Sequence, residues 1–197
     1  VFQNLDQLNC GNNHNYEVHK DRFVCVGDNF HINFLYELNK YVFKGNQHQK
    51  IVCEIGGGYG NLSKLIYMND FCSKIILIDL PEANLMSYYY LSSNFPKANF
   101  YTYSGENDLI TSKIISDHDF IIIPPWVGFD SDIKIDLFIN TRSMMEMNFE
   151  IIKGYFLFIH KHIRSNGFFY NVNKLHKNTV GQNIDLDKYP YDNKWTV

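Results

Sequence analysis

The sequence has few cysteines, and none of them belongs to a recognisable pair. Its 197 residues include four cysteines, no two of which are spaced as Cys-x-x-Cys. A paired-cysteine site is therefore not predicted, and Cys53, which lies inside an apolar segment, is expected to be a buried thiol. Free thiols and the absence of a signal peptide favour a cytoplasmic protein.

The sequence also lacks an excess of positive charge and any long apolar run. Its 18 basic residues stand against 21 acidic residues, which gives a formal net charge of −3. A nucleic-acid partner is not expected, because such proteins usually carry a basic surface. The longest apolar segments, residues 120–129 and 154–160, are shorter than the ~18 residues that a membrane-spanning helix needs. A membrane span is therefore not expected either.

What the sequence does have is the composition of a folded domain. Apolar residues make up 45% of the chain and charged residues 20%, and 197 residues suit one domain with a sizeable core. We predict a domain over residues 28–197, preceded by an irregular polar arm over residues 1–27. Because a strand-like alternation starts at residues 194–197, we expect the chain to be part of a longer protein and the domain to be C-terminally incomplete.

Strand-like and helix-like apolar patterns alternate along the chain. The predicted strands cover residues 51–55, 74–79, 99–103, 120–123, 135–140 and 168–172, and the predicted helices cover residues 29–44, 61–69, 81–93 and 143–164. This alternation predicts an α/β fold with a mostly parallel sheet flanked by helices. Ligands bind such sheets beyond the carboxyl ends of the strands, so functional residues are expected directly after each strand.

A glycine-rich turn joins the first of these strands to the following helix. It contains Gly56, Gly57, Gly58 and Gly60, and glycines in such a turn allow positive φ angles and a close approach of a ligand to the backbone. The next strand ends at Asp79, 23 residues after Gly56. A carboxylate there can accept hydrogen bonds from both hydroxyls of a ribose, so the loop and Asp79 together predict a nucleotide-like cofactor.

The spacing of the glycines separates two cofactor classes. A dinucleotide site has the pattern GxGxxG, which would place Asn61 at the third glycine, whereas Gly56, Gly58 and Gly60 satisfy GxGxG. Glu54 precedes the first glycine by two residues, and an acid there suits a cofactor with a cationic amino-acid tail and no pyrophosphate. The pattern favours S-adenosyl-L-methionine. A dinucleotide and a tight turn without a ligand remain the alternatives.

Four segments of the sequence together are similar to a known protein family: VCEIGGGYGNLSKLI, IDLPEANLMSYYYLSSNFP, DLFINTRSMMEMNFEIIKGYF and FFYNVN. Over roughly residues 25–173, the chain resembles the sugar O-methyltransferases of bacterial surface-polysaccharide clusters. The resemblance implies a Rossmann-like class I methyltransferase fold, S-adenosyl-L-methionine as cofactor and a saccharide hydroxyl as methyl acceptor.

The resemblance also implies roles for individual residues at the cofactor. Glu54, Gly56, Gly58 and Gly60 would contact the methionine part, Asp79 would hold the ribose, and Leu80 would pack on the adenine. Pro125 and Trp126 follow a strand at which this fold often has an Asp or Asn for the adenine amino group. Backbone groups and the Trp126 ring are the expected substitutes, and the alternative is that Trp126 belongs to the core.

A sugar hydroxyl is a poor nucleophile at neutral pH, so a base or a metal ion is expected to assist methyl transfer. Glu146 is one candidate base, but Ser143 and Glu146 also form the pattern S-x-x-E of a helix capping box. His176, which follows the last predicted strand, is a second candidate base.

Other polar residues near the predicted strand ends are candidates for binding. Asn140 ends a strand and would position the cofactor or the sugar, while Arg142 and Ser143 follow it directly. His31 lies at the start of the helix before the glycine loop and is expected to contact cofactor or substrate. No group of His, Asp and Glu residues has the spacing of a metal site, so no metal ion is predicted.

Two further functions remain open from the sequence. One is a methyltransferase for a small non-sugar acceptor, and the other is a catalytically silent scaffold domain that binds S-adenosyl-L-methionine. The absent acid on the adenine side and the incomplete-looking C-terminus motivate the second. The expected partner is a small-molecule or saccharide substrate, and the sequence leaves open whether the chain forms a homo-oligomer.

Overall fold

The computed structural model describes residues 16–19, 22–25, 28–44, 51–106, 109–178 and 182–196. The strands are β1 Tyr16–His19, β2 Arg22–Cys25, β3 Ile51–Ile55, β4 Lys74–Ile78, β5 Phe100–Thr102, β6 Leu109–Ile110, β7 Phe120–Ile123, β8 Gly128–Phe129, β9 Ile135–Thr141, β10 Ile163–Val172, β11 His176–Lys177 and β12 Ile184–Asp185. The helices are α1 Asp28–Leu38, continued by a π-helical turn at Asn39–Phe43, α2 Asn61–Met68, α3 Pro81–Asn94, α4 Ser112–Asp117 and α5 Phe149–His162. Among the residues so described, no helix has the length and apolarity needed to cross a membrane.

One sheet of six described strands forms the centre of the fold, in the order β10-β9-β3-β4-β7-β5, with every pairing parallel. The predicted α/β fold with a parallel sheet and flanking helices is confirmed. From β3 the chain moves outward to β4 and then to the edge strand β5, comes back to β7 between these two, and continues to β9 on the other side of β3. This reversal creates a crevice beyond the carboxyl ends of β3 and β9, where open α/β sheets bind their ligands.

The central strands are buried on both faces, which explains their continuous apolar sequences. Alternate residues of β3 enter different clusters: Cys53 and Ile55 pack on one face in the cluster that contains Ile152 and Phe156 of α5. Val52 packs on the other face in the cluster that contains residues of α1 and α2. Cys53 is a fully buried free thiol, as predicted.

The N-terminal arm is not wholly irregular, because β1 and β2 pair antiparallel as a hairpin. Both strands contain residues with high strand propensity, Tyr and Val in β1 and Phe and Val in β2. The prediction of an irregular arm is wrong for these residues. Residues 1–15, on which the rest of that prediction falls, lie outside the described residues.

The helix predicted over residues 143–164 begins later than its sequence pattern suggested. A 3₁₀ turn spans Met144–Glu146, and α5 starts only at Phe149. The backbone N–H groups of Met144 and Met145 donate instead to the side-chain oxygens of Asn140 and Asn173, at 3.2 and 3.0 Å. Because Asn140 at the strand end and Asn173, 28 residues further along the chain, take these donors, the chain after β9 does not continue directly into an α-helix.

Helix α3 has the reverse of the usual distribution of polar and apolar residues. Its buried residues are Asn84, Ser87, Leu91 and Asn94, whereas Leu85, Met86, Tyr88 and Tyr89 are exposed. The buried face packs on the glycine loop: a Cβ atom at Gly60 would lie 3.0 Å from Leu91 Cδ1 and 3.4 Å from Ser87 Cβ. Leu91 and Ser87 on this face therefore lie directly against the loop backbone, and a side chain at position 60 would meet them.

The burial of Leu137 in β9 predicts that replacing it by alanine destabilises the chain more than the same change at an exposed leucine. Leu137 is fully buried, whereas Leu157 on α5 is 71% exposed. We expect Leu137→Ala to lower the free energy of unfolding by about 2–5 kcal/mol, because it opens a cavity in the core. The matched change Leu157→Ala should alter it by less than about 0.5 kcal/mol. Urea unfolding measures both, and similar losses would contradict the placement of β9 in the core.

Candidate functional site

The glycine loop lies at the crevice beyond β3 and has the backbone conformation that glycine permits. The φ angles of Gly56, Gly58 and Gly60 are +72°, +58° and +86°. A Cβ atom at Gly56 would lie 2.0 Å from Ser143 Oγ and 2.3 Å from Ser143 Cβ. The loop is therefore pressed against the chain that follows β9, and position 56 has no room for a side chain.

Glu54 lies beneath the loop, with 2% of its surface exposed. The hydroxyl of Ser63 donates a hydrogen bond of 2.5 Å to Glu54 Oε2, and a Cβ atom at Gly57 would lie 3.0 Å from Glu54 Cδ. Burial raises the pKa of Glu54 to about 7; the Ser63 hydrogen bond opposes this rise and the charge of Asp79 adds to it. The loop thus covers a carboxyl group that titrates near neutral pH.

Asp79 holds the loop from the neighbouring strand end. Gly58 N–H donates to Asp79 Oδ2 at 2.8 Å, and Leu80 N–H donates to Oδ1 at 2.7 Å. A carboxylate has about four lone-pair positions, so Asp79 can accept further hydrogen bonds from a ligand. Leu80, which follows it, is 61% exposed and presents an apolar side chain beside this carboxylate.

Asn140 and Ser143 connect β9 to the end of β3. Asn140 is fully buried, and its Nδ2 donates to the carbonyl oxygen of Ile55 at 2.9 Å. The hydroxyl of Ser143 donates to the same oxygen at 3.2 Å. The structure therefore brings both predicted residues to the glycine loop, with their side chains engaged in holding it.

The capping box predicted for Ser143 and Glu146 is wrong. The Ser143 hydroxyl bonds to Ile55 and caps no helix, while Glu146 N–H donates to the Ser143 carbonyl oxygen at 2.9 Å within the 3₁₀ turn. The Glu146 side chain is exposed, one turn beyond the strand that carries Asn140. Its carboxylate is therefore not required for a cap, and its role as a base stays a prediction.

His176, the other candidate base, lies in a separate two-stranded ladder. It is in β11, and its Nδ1 is 2.6 Å from Asp185 Oδ1 of β12. The side chains of His176 and Asp185 are 57% and 51% exposed. Its Nδ1 is thus engaged by an acid in this ladder, and its role as a base stays a prediction.

The predicted substrate residues Arg142 and His31 flank the loop from two sides. Arg142 adopts φ +71°, and its guanidinium carbon lies 5.7 Å from the ring centre of Phe30 in α1. His31 Nδ1 lies 3.1 Å from Nδ2 of Asn61, the first residue of α2 after the loop. Helix α1 therefore comes close both to the start of α2 and to the chain after β9.

Three polar residues that the sequence did not single out extend this site along β10. Asn173 Nδ2 donates to Asn140 Oδ1 at 2.8 Å and to Asn171 Oδ1 at 2.5 Å, and Asn171 Nδ2 donates to the Tyr191 hydroxyl at 2.8 Å. These contacts form a chain of carboxamides at the carboxyl ends of β9 and β10. Asn171 near the end of β10 and Asn173 directly after it were a signal, but Asn140 and Tyr191, with which they bond, are far away in sequence.

A buried lysine behind the loop was also missed. Lys64 is 1% exposed, and its Nζ donates to the Tyr90 hydroxyl at 2.8 Å. That hydroxyl donates to Asn61 Oδ1 at 3.1 Å, and Asn61 Nδ2 faces His31 Nδ1. A row of polar contacts thus connects the interior of α2 to the predicted substrate residue His31.

Trp126 is not a core residue, because 58% of its surface is exposed. Its ring meets that of Tyr103 edge-on, with 6.4 Å between the ring centres. Both rings line a cavity of about 470 Å³ between α3 and the carboxyl ends of β5 and β7. Pro125, next to Trp126, is exposed. Of the adenine-side residues predicted from the sequence, Trp126 therefore borders a cavity with aromatic walls, whereas Leu80 and Pro125 are not among its lining residues.

Within the described ranges, no group of three or more His, Cys, Asp or Glu side chains is arranged to hold a metal ion. The two free cysteines described there, Cys53 and Cys72, are both buried. Burial raises the pKa of both thiols. The candidate site thus consists of carboxylates, carboxamides, hydroxyls and backbone groups of the glycine loop.

Neither a protein-family model nor a curated protein sequence matches the chain. The chain is similar to the solved structure of mitomycin 7-O-methyltransferase, at 13% identity over 68% of this chain and 33% of that one, with a TM-score of 0.46. It is similar to a glycopeptide N-methyltransferase in complex with sinefungin, at 13% identity over 68% of this chain and 50% of that one, with a TM-score of 0.47. It is also similar to a cyclopropane synthase of Mycobacterium tuberculosis, at 12% identity over 70% of this chain and 40% of that one, with a TM-score of 0.46. The chain thus spans between 33% and 50% of the length of these three proteins.

The close approach of the loop to Ser143 predicts unequal effects at two glycines. Gly56 and Gly58 both have positive φ, but a Cβ atom at Gly58 would meet nothing within 4 Å. We expect Gly58→Ala to lower the free energy of unfolding by about 1–2 kcal/mol, the conformational cost alone. Gly56→Ala should cost clearly more, because its Cβ also overlaps Ser143. Chemical denaturation measures both losses, and equal losses would rule out this close contact.

The raised pKa of Glu54 predicts how stability depends on pH. The folded chain retains the proton between the ordinary pKa of about 4.5 and about 7. The free energy of unfolding should therefore fall as pH rises through this window, since the unfolded chain ionises first. We expect Glu54→Gln to remove this part of the fall.

The measurement is urea unfolding of the wild type and Glu54→Gln at several values of pH. Glu146→Gln is the matched control, because Glu146 is an exposed acid near the same crevice. Its profile should follow that of the wild type. Parallel profiles for the wild type and Glu54→Gln would show that Glu54 ionises normally in the folded chain.

Proposed function

We propose that this chain is an S-adenosyl-L-methionine-dependent methyltransferase domain that methylates a sugar hydroxyl. One observation carries the proposal: a loop with three positive-φ glycines lies at the topological switch point between the buried carboxyl group of Glu54 and the carboxylate of Asp79. Nothing lies within 4 Å of the position that a Cβ atom would take at Gly58, so a ligand can come close to the loop backbone there, and the two acids offer different environments to its two ends.

Asp79 is the group that would hold the ribose. Two of its lone-pair positions accept backbone N–H groups of Gly58 and Leu80. About two positions remain, which equals the number of hydroxyls on a ribose. The backbone hydrogen bonds also fix the carboxylate in place, so little conformational entropy is lost when a ligand binds. Leu80 would contact the adjacent adenine ring through its exposed apolar side chain.

Glu54 favours a methionine-type tail over a pyrophosphate. Burial makes deprotonation of the Glu54 carboxyl group unfavourable. A cationic amino group near the loop would attract the ionised carboxylate and offset that cost. A pyrophosphate at the same place would bring negative charge towards Glu54 and Asp79. The glycine spacing, with Asn61 at the third position of the dinucleotide pattern, supports the same choice.

When bound, S-adenosyl-L-methionine supplies a methyl group on a positively charged sulfur that a nucleophile can displace. The residues of this chain would position the acceptor and take its proton. Asn140 is held by Ile55 and Asn173, so its carboxamide is rigid at the edge of the crevice. Positioning of this kind supplies much of the acceleration in a displacement reaction.

The acceptor hydroxyl needs a group that accepts its proton, and Glu146 is the leading candidate in this proposal. Its carboxylate is exposed and not used in a helix cap. The half-buried carboxamides of Asn171 and Asn173 offer accepting positions suited to neighbouring hydroxyls of a sugar. The resemblance over residues 25–173 supports a saccharide acceptor, in polysaccharide biosynthesis.

Calorimetry tests the cofactor. We expect S-adenosylhomocysteine to bind the wild type and NAD to bind at least tenfold more weakly. Asp79→Asn should weaken S-adenosylhomocysteine binding about tenfold or more, because an amide cannot replace both accepting oxygens of the carboxylate. Asp132→Asn, a change of an exposed acid away from the strand ends, is the matched control. The proposal fails if the wild type does not bind S-adenosylhomocysteine.

Turnover assays test the base and the acceptor together. Release of S-adenosylhomocysteine is measured with a panel of saccharide and non-sugar acceptors, and turnover with saccharides is expected. Glu146→Gln should lower kcat by about 10²-fold or more if Glu146 is the general base, whereas Glu150→Gln, an exposed change on α5, should leave it unchanged.

Three outcomes would contradict parts of this proposal. Near-normal turnover of Glu146→Gln would remove Glu146 from the mechanism and direct attention to His176. Turnover with non-sugar acceptors alone would contradict the sugar assignment. Cofactor binding without turnover on any acceptor would favour the silent scaffold domain over an enzyme.

A further inference from the structure

Arg142 has a positive charge that no described acid neutralises, at the carboxyl ends of β9 and β10. It follows β9 directly, its backbone N–H donates to the carbonyl oxygen of Val172 at 2.7 Å, and its side chain is exposed. Among the described residues, no carboxylate lies within ion-pair distance of its guanidinium, and no hydrogen bond uses the N–H donors of that group. Arg164, at the amino ends of the same two strands, is by contrast 2.8 Å from Asp136.

Phe30 of α1 lies against this guanidinium. The guanidinium carbon of Arg142 is 5.7 Å from the centre of the Phe30 ring, within the distance of about 6 Å at which a cation is attracted to an aromatic face. This contact uses the charge of the guanidinium and leaves its N–H donors for another group. Because a guanidinium is planar, those donors can bind two oxygens of a carboxylate or of a phosphate at once. Phe30 is itself 61% exposed, so a ligand can reach this pair.

The backbone of Arg142 supports a role for its side chain. Its φ angle is +71°, and glycine or asparagine adopts such an angle at a lower cost than arginine does. The turn after β9 would therefore form more readily with either of them. Backbone strain of this kind is typical of residues at functional sites. The arginine side chain, rather than the turn, is therefore the feature that requires an explanation.

The other exposed charges at this edge do not cancel that of Arg142. Glu146, the candidate base, lies four residues further along the chain, and no ion pair joins the two in the described structure. Lys174, directly after Asn173, is a second exposed cation without an acid partner in the described ranges. A negatively charged group would thus find an attractive position at Arg142, while Glu146 stays available for a proton.

We infer that Arg142 binds an oxyanion carried by the methyl acceptor, so that the acceptor is an acidic saccharide. The inference rests on the proposed function and names the substrate class of that same site. The carboxylate of a uronic acid and the phosphate of a sugar phosphate share the chemistry that a guanidinium recognises. Binding of this group would fix the orientation of the sugar and thereby select the hydroxyl that is methylated.

Turnover of matched acceptors tests the inference. The acceptors are the methyl glycosides of glucose, galactose and mannose, each as the neutral sugar, as its uronic acid and as its 6-phosphate. Release of S-adenosylhomocysteine gives kcat and KM for each. We expect kcat/KM of at least one acidic acceptor to exceed that of its neutral counterpart at least tenfold, mainly through a lower KM. A uronic acid as the best acceptor identifies a carboxylate as the recognised group, and a 6-phosphate identifies a phosphate.

Arg142→Gln should reduce this preference to about threefold or less, because KM rises for the acidic acceptor much more than for the neutral one. A purely structural role of Arg142 would raise both alike. Arg142→Lys keeps the charge without the planar group and should restore part of the preference. Arg142→Gly provides a further variant: glycine adopts this φ angle without steric cost, so its melting temperature should not fall, yet the preference should be lost.

Arg164→Gln is the matched control. It also removes one positive charge from an arginine, but at the amino ends of β9 and β10, where Arg164 is paired with Asp136. Its variant should keep the wild-type preference for the acidic acceptor, even if its melting temperature changes.

The outcomes separate this inference from the proposed function. Turnover of neutral sugars as efficient as that of acidic ones, or an unchanged preference in Arg142→Gln, would overturn the role of Arg142 and leave sugar methylation intact. A loss of preference in Arg164→Gln as large as in Arg142→Gln would also overturn it, because the total charge of the chain would then explain the effect. No turnover of any saccharide by the wild type would overturn both.

Discussion

The candidate site depends on the contact between the end of β3 and the chain after β9. The carbonyl oxygen of Ile55 accepts hydrogen bonds from both Asn140 and Ser143, which draws the Ser143 side chain into the space beside Gly56. A residue with a Cβ atom would not fit there. This contact therefore holds the glycine loop against the chain after β9, next to the bonds from Met144 and Met145 that delay the start of α5.

The two acids at the loop differ in their surroundings, and this difference gives each a separate chemical property. Glu54 is buried beside one hydroxyl, and its pKa is raised to about 7. Asp79 accepts two backbone N–H groups at a more exposed position. The fold thus places a group that changes charge near neutral pH behind the loop, and a fixed hydrogen-bond acceptor in front of it.

The sequence was sufficient for most of the sheet, because buried parallel strands leave continuous apolar runs such as 51–55 and 120–123, whose predicted bounds are confirmed. It was insufficient where distant side chains replace local hydrogen bonds. The pattern S-x-x-E predicted a helix cap at Ser143, but Ile55 and Asn173 bind the groups that a cap would have used. Local sequence cannot show a partner that lies tens of residues away.

Helix α3 is a second place where the spacing of hydrophobic residues in the sequence does not predict which residues are buried. Hydrophobic residues are expected to face the core, yet Asn84 and Ser87 are buried while Leu85 and Tyr88 are exposed at a cavity. Ser87 packs with Leu91 on the backbone of the glycine loop at Gly60, and Asn84 is held by the carbonyl oxygen of Asp79. Asn84 and Lys64 could be found only from the structure, because neither lies directly after a strand.

A crystal structure of the chain with S-adenosylhomocysteine tests the central claim most directly. The account predicts that the ligand crosses the switch point, with both ribose hydroxyls within hydrogen-bond distance of the Asp79 carboxylate and the amino-acid tail along the loop at Gly56–Gly60. A ligand bound elsewhere, or a ribose without contact to Asp79, would contradict it.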